Sequence, residues 1–261
     1  MSAEDFRFKD YFSKQSNVSA QSRPSYPEEL FAFLSGAAPA KDVAWDCATG
    51  NGQAATSLSR YFKQVIATDA SQAQIANARQ LPNIQYSVAP AEESGLPENS
   101  VSLVTVATAL HWFDLDRFYA EVKRVLKPGG ILAAWSYSGN SVNTDVDPHL
   151  NRLWHKILDG YWPAKSQIVW EKYRTIPFPF AETAHPEFQI KEQWNLKEQL
   201  NYLMSWSGTQ RYLERNRKNP IEIIEDDLRK AWGNPEEKRE VTWEIFMRMG
   251  KNIHNSKPAR Q

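Results

Sequence analysis

The sequence predicts an α/β fold: a seven-stranded, mostly parallel sheet with helices on both faces, its last strand antiparallel, and an inserted lid. Three observations predict it. Between residues 42 and 135, short apolar runs alternate with helical patterns, the rhythm of repeated strand–helix units. The run Val101–Ala107 is apolar at every position except Ser102 and Thr105, which suits a strand covered on both faces. Residues 239–249 instead alternate. Val241, Trp243, Ile245, Met247 and Met249 fall on one side, and Thr242, Glu244, Phe246 and Arg248 on the other. A strand so late in the chain can pair antiparallel beside the fifth.

The elements follow in order. Residues 5–12 suit a short helix with four aromatics, and 13–22 a polar loop. Arg23-Pro-Ser-Tyr-Pro27 reads as a rigid turn before a helix. Pro27 suits its first turn, Glu28 and Glu29 favour its positive end, and Gly36 is the expected stop. Strands are expected at 43–46, 65–69, 84–88, 101–107 and 131–135. Helices are expected at 53–61, 71–79 and 116–126, with Ser71 a suitable N-cap and Lys127-Pro-Gly-Gly130 ending the third. After 136 the rhythm breaks into a stretch rich in Ser, Asn, Asp, Pro and Trp, with one helix at 148–161. A segment of that length between strands is usually a lid or binding insertion. Beyond it come a sixth strand at 188–194, helices at 197–205, about 212–214 and 221–232, and the last strand. The expected organisation is a leader (1–36), a core (37–137), a lid (138–187), the remainder of the fold (188–251) and a frayed tail (252–261).

Composition narrows the function. Lys plus Arg and Asp plus Glu both number 31, whereas a nucleic-acid binder would carry a basic excess. No apolar run approaches the roughly 20 residues of a membrane span, and no signal pattern opens the chain. Neither a nucleic acid nor a membrane is therefore expected as a partner. The single cysteine, Cys47, excludes an internal disulfide and a Cys-based zinc site. It reads as a small buried filler. A cytoplasmic location and no metal are expected. Ten tryptophans read first as core, and secondarily as walls of an apolar pocket.

The chemistry concentrates in Val43-Ala-Trp-Asp-Cys-Ala-Thr-Gly-Asn-Gly-Gln53. An apolar strand ends in Asp46, glycines follow at 50 and 52, and a helix starts. Glycines there let a ligand approach the backbone at a helix N-terminus. A dinucleotide site shares this loop, and its third glycine position is Ala55 here. Asp46, however, would repel a pyrophosphate and favour a cation. S-Adenosylmethionine carries an α-ammonium and a sulfonium and no phosphate. The next strand ends in Asp69, placed to accept from a ribose diol. Pro90-Ala-Glu92 follows the third strand and can flank an adenine. Ala107-Thr-Ala-Leu-His-Trp-Phe-Asp114 follows the fourth. All lie at the strands' carboxyl ends, where open sheets bind ligands. His111 is placed there too, as a base, a helix cap or a packing group under the lid.

Residues 40–137 closely resemble class I S-adenosylmethionine-dependent methyltransferases of the type 11 group. Asp46-Cys-Ala-Thr-Gly50-Asn-Gly52 is similar to that family's first motif, with Ala48 where its first glycine usually stands. Asp69 matches the ribose-binding acid, Ala91-Glu92 the adenine-side pair, and Leu126-Lys-Pro-Gly-Gly130 the turn before strand five. Gln53, the 107–113 segment, Arg23-Pro-Ser-Tyr-Pro27 and Tyr202-Leu-Met-Ser-Trp-Ser207 resemble the subgroup that includes fungal trans-aconitate methyltransferase. That subgroup often has a tyrosine where this chain has Ser19. The resemblance implies a Rossmann-like fold and S-adenosylmethionine as cofactor, with S-adenosylhomocysteine as product. It implies cofactor contacts at Asp46, Ala48, Gly50, Gly52, Gln53, Asp69, Ala70, Ala91, Glu92 and Ala107. Arg23 and Trp112 are the expected acceptor contacts, and His111 is the base if the acceptor needs one. Transfer to an oxygen of a small carboxylic acid is the leading expectation. A larger apolar natural product as O- or N-acceptor, or a cofactor-binding protein without activity, stays open.

Overall fold

The computed structural model describes residues 23–253. The expected helix at 5–12, Ser19 and residues 254–261 of the tail lie outside the described residues. Helix α1 (Glu28–Ala37) starts behind Pro27 with both acids in its first turn. Gly36 lies inside it rather than ending it. The chain leaves the helix at Ala38, because the residue before Pro39 disfavours helical backbone.

Five strands and three helices then build the core. These are β1 (Val43–Cys47), α2 (Gln53–Leu58), β2 (Gln64–Asp69), α3 (Gln72–Ala76) and β3 (Ile84–Val88), then β4 (Val101–Ala107), α4 (Leu115–Val125) and β5 (Leu126–Tyr137). The Lys127–Gly130 turn interrupts the pairing of β4 with β5, between the partners Val101↔Leu126 and Leu103↔Ile131. Gly129 takes φ 74° there, a conformation that favours glycine. Its N–H donates to Asn252 O at 2.9 Å.

The remainder comprises α5 (Asp147–Arg152), α6 (Ser166–Trp170), β6 (Ala181–Glu182), β7 (Phe188–Trp194), α7 (Leu196–Met204), α8 (Ser207–Asn216), α9 (Glu225–Trp232) and β8 (Arg239–Lys251). Two expected helices are broken. The 148–161 helix passes into a π turn at Leu153–Ile157. The Trp154 carbonyl accepts from Trp162 Nε1 at 3.2 Å, and Leu158 N–H bonds one residue further back, to Leu153 O at 3.0 Å. An indole has taken the acceptor that an α-turn would use. The 221–232 helix splits at Ile224 into a 3₁₀ turn (Pro220–Ile223) and α9. Glu225, Asp226 and Asp227 open α9, and acids favour a fresh N-terminus.

The sheet order is β3-β2-β1-β4-β5-β8-β6, with β7 also paired to β8. The sheet is therefore Rossmann-like, and β8 alone runs against the others. It holds eight strands rather than seven. The two-residue β6 takes the end of β8 and β7 takes its beginning, on the side away from β5. Helices cover both faces. Leu30, Phe31, Leu58 and Trp135 pack on one face, and Trp45, Phe118, Val122 and Leu132 on the other. Trp45, Trp135, Trp232 and Trp243 are fully buried, the core role expected of tryptophan. Trp154, Trp162, Trp170 and Trp206 instead form one cluster, with centroids 4.4–5.9 Å apart.

Gly250 marks where β8 is closed in. A Cβ there would lie 2.8 Å from Phe180 Cβ and 3.0 Å from Ala181 O. Gly250→Ala is expected to destabilise the fold by about 1–3 kcal/mol through overpacking. Urea denaturation should show a lower midpoint; an unchanged midpoint would contradict this packing.

Candidate active site: the cleft at the carboxyl ends of β1, β4 and β5

Asp46 is the penultimate residue of β1, between β2 and β4, so its side chain starts inside the sheet. It is 1% exposed. Thr49 Oγ1 donates to Asp46 Oδ2 at 2.5 Å, and Thr105 Oγ1 donates to Oδ1 at 2.8 Å. Burial still prevails over these bonds and pushes the carboxyl up to about 6.

The loop that follows is bent by three left-handed residues, Ala48 (φ 55°), Gly50 (φ 58°) and Gly52 (φ 84°). Ala48 holds a conformation costing an alanine about 1–2 kcal/mol, which accounts for glycine as the usual residue there. Thr49 N–H donates to Thr68 O at 2.9 Å, and Gly50 N–H donates to Asp69 Oδ2 at 2.9 Å. Asp69 Oδ1 accepts from Ser71 N at 2.8 Å. Each Asp69 oxygen keeps a lone pair for a further donor. Burial also raises the Asp69 carboxyl above the usual range. Two acids therefore flank this loop, one held at each end.

The Arg23–Pro27 segment closes the opposite wall. Gln53 Nε2 donates to Pro24 O at 3.1 Å, and Ser25 N donates to Glu192 Oε1 at 2.9 Å. Tyr26 packs edge-on against Trp135, with centroids 5.6 Å apart, and lies 6.2 Å from Tyr137. Burial pushes the Tyr26 phenol well up, keeping it a neutral hydroxyl. The floor is Ala107 with Thr108, whose φ of 54° is a genuine outlier for a β-branched residue. Thr108 N–H donates to Trp135 O at 2.8 Å. Strain of this kind gathers at ligand sites.

The cleft encloses about 730 Å³ including its open mouth. Of the expected residues, Arg23, Asp46, Ala48, Gly50, Gln53 and Ala107 line it together. Asp69 and Gly52 stand behind the loop. A Cβ on Gly52 would strike the Tyr86 hydroxyl at 2.2 Å, so this glycine makes room for a tyrosine. Ala70 is exposed beyond β2 and Ala91 is buried in the second core face. Glu92 accepts from Asp114 N at 2.9 Å, tying the loop after β3 to the start of α4.

His111 and Trp112 lie outside the lining. His111 Nδ1 bonds the Tyr173 hydroxyl at 3.1 Å, and its ring packs on Trp112 at 4.9 Å. Burial, aided by the Lys165 charge, lowers His111 to about 3. It is thus neutral and weakly basic at physiological pH. The Trp112 carbonyl accepts from Lys165 Nζ at 3.1 Å. Sequence reasoning missed Tyr26, Thr108 and Tyr137 as lining residues. The strand-end rule would have found the last two, since Thr108 follows β4 and Tyr137 ends β5.

Fold and cleft define an α/β protein with a Rossmann-like sheet and an acid-lined cleft at the carboxyl ends of its strands. A family profile described as a methyltransferase domain matches residues 45–134. A Dictyostelium discoideum protein named as a methyltransferase is 34% identical over 230 residues, covering 87% of this chain and 88% of the relative. A Saccharomyces cerevisiae protein that bears the name of an S-adenosylmethionine-dependent methyltransferase is 33% identical over 127 residues, covering 44% and 43%. The solved structure of an Anaeromyxobacter dehalogenans protein described as a type II methyltransferase matches with TM-score 0.86 and 43% identity, over 89% of this chain and 99% of that one. The chain belongs to the class I S-adenosylmethionine-dependent methyltransferases.

The cleft fits that cofactor. Asp46 is a buried carboxylate with no ion-pair partner among the described residues, and an ammonium or sulfonium would balance its charge. Because the folded-state pKa of Asp46 is raised, the ligand-free protein loses stability as pH rises from about 4 through about 6. Asp46→Asn is expected to stabilise the ligand-free fold at pH 7 by on the order of 1–3 kcal/mol, with the gain vanishing towards pH 4. Denaturation across that pH range checks it, and a gain that does not depend on pH would contradict the cause.

Proposed function

We propose that this enzyme transfers a methyl group to an oxygen of a small carboxylic acid, as the likeness to the trans-aconitate methyltransferase subgroup implies. One observation carries the reading. Among the described residues lining the cleft, Asp46 is the one acid and Arg23 the one base. The acid beside the glycine loop suits the cofactor's cationic end. The guanidinium and the Tyr26 and Tyr137 hydroxyls suit an anionic acceptor opposite.

In this reading Asp46, Ala48, Gly50, Gly52 and Gln53 hold the methionine end of the cofactor. Asp69 and Ala70 meet the ribose, and Ala91 and Glu92 the adenine. Ala107 forms the floor and Arg23 contacts the acceptor, while Trp112, outside the lining, would reach it only from beyond the cleft wall. Residues 138–187 act as the lid. S-Adenosylmethionine brings an already electrophilic methyl on a sulfonium. The chain's own task is to align the acceptor oxygen and exclude water. A carboxylate is ionised at physiological pH and gives up no proton in the step. His111 is then a hydrogen-bonding neighbour and no base is needed. A hydroxyl or amine acceptor would need one, and the depressed His111 pKa makes that base a poor one. The free, buried Cys47 is consistent with a cytoplasmic enzyme. No helix among the described residues is long and apolar enough to cross a membrane.

The cluster of Trp154, Trp162, Trp170 and Trp206 supports a second reading, a larger apolar acceptor. Incubation with methyl-labelled S-adenosylmethionine and a panel of small acids and apolar phenols or amines separates the two. The expected product is a base-labile methyl ester. His111→Gln should keep its formation within about tenfold, a loss smaller than that of a general base, and leave the pH–rate profile unchanged from pH 6 to 9. Label transfer confined to phenols or amines, or loss of ester formation in His111→Gln, would contradict the proposal.

A further inference from the structure

Beside the cleft lies a second set of polar groups that the cofactor reading leaves unused. Among the described residues, five buried side-chain atoms have no hydrogen-bond partner: Trp135 Nε1, Asn140 Oδ1, Gln199 Nε2, Trp206 Nε1 and Thr209 Oγ1. Gln199 and Thr209 are fully buried, and Trp206 is 7% exposed. Leaving such groups unpaired is costly, and native proteins leave few of them so.

These atoms gather around one place. Asn140 Nδ2 donates to Gln199 Oε1 at 3.0 Å. Reversing both amides would still leave one donor and one acceptor free. Gln199 sits one turn before Tyr202 on α7, and Tyr202 meets Trp206 edge-on at 5.7 Å. The Tyr202 oxygen is already taken by Trp243 Nε1 at 2.9 Å, and the Trp206 indole makes no hydrogen bond of proper geometry to it. Thr209 follows in the first turn of α8. Trp154 packs on Trp206 at 4.8 Å and also against Gly139, the neighbour of Asn140. The tryptophan cluster therefore roofs these groups. On the cleft side, Tyr137 and Arg23 both act on the Tyr202 hydroxyl electrostatically, and Trp135 backs Tyr26.

We infer that Gln199, Trp206 and Thr209, with Asn140 beside them, form the subsite that grips the methyl acceptor, and that its ligand is a carboxylate. The inference rests on the carboxylic-acid reading above. The free groups of this subsite are predominantly donors: an amide N–H, an indole N–H and a hydroxyl, against one amide oxygen. Arg23 is the one cation lining the adjoining cleft. A carboxylate satisfies such a set with two oxygens of several lone pairs each, whereas an amine cannot. The site lies on the segments after β5, outside the cofactor core, so it can choose the acceptor without disturbing the donor.

The test is methyl transfer to mono-, di- and tricarboxylates and to their amides and methyl esters. It compares the unaltered enzyme, Gln199→Glu and the near-isosteric Thr209→Val. Calorimetry with S-adenosylhomocysteine reports on each variant's cofactor site. At least one carboxylate should be methylated in preference to its amide. Both variants should raise its KM at least tenfold with S-adenosylhomocysteine affinity within twofold. If Gln199→Glu fails to bind S-adenosylhomocysteine, Thr209→Val alone decides. A methylated carboxylate whose KM does not move would overturn the subsite and leave the carboxylic-acid reading standing. Methylation of neutral acceptors alone would overturn both.

Discussion

The site depends on one buried charge. Asp46 is carried by the sheet to the end of β1, where Thr49 and Thr105 each give it a hydrogen bond and no described residue forms an ion pair with it. Those two threonines come from the loop after β1 and from β4, so the bonds also join the glycine loop to the neighbouring strand. A carboxylate held this way is expensive in the empty protein and valuable once a cation arrives. The cost and the selectivity have the same cause. It distinguishes this loop from the pyrophosphate cradle that a similar glycine spacing builds in dinucleotide sites.

Around that charge the rest of the cleft is fixed by short ties. Asp69 fastens Gly50, so the acid of β2 shapes the loop. Gln53, the first residue of α2, fastens Pro24, so the helix that follows the loop also holds the opposite wall. The Arg23–Pro27 segment in turn leans on β5 through Tyr26 and Trp135. The two walls are therefore coupled through α2. Beyond β5 the tryptophan cluster and the unpaired groups beneath it belong to segments outside the strand–helix units that carry the glycine loop, packed on the same core face as Trp135. A family that keeps its cofactor and changes its acceptor has that freedom in this region.

Much of this was legible in the sequence, because period and strand ends are local signals. The apolar run of β4, the alternation of β8 and the acids closing β1 and β2 each follow from a few adjacent residues. What was hidden depended on distant partners. The π turn at Leu153–Ile157 needs Trp162 to take the Trp154 carbonyl, and no periodicity announces that. Gly52 reads as a ligand-approach glycine, yet the space it leaves is filled by Tyr86. His111 sits where a catalytic group is expected, but Tyr173, from the irregular segment after α6, claims its ring. The unpaired Gln199 and Thr209 lie in amphipathic helices where a polar residue looks like surface until burial is known.

The central claim is that the Asp46 loop selects a cationic nucleoside over a phosphate-bearing one. Isothermal titration of the protein with S-adenosylhomocysteine and, separately, with NAD tests it most directly. The account predicts saturable heat with S-adenosylhomocysteine, lost in Asp46→Asn, and none with NAD. Saturable binding of NAD, or S-adenosylhomocysteine binding that Asp46→Asn leaves intact, would contradict it.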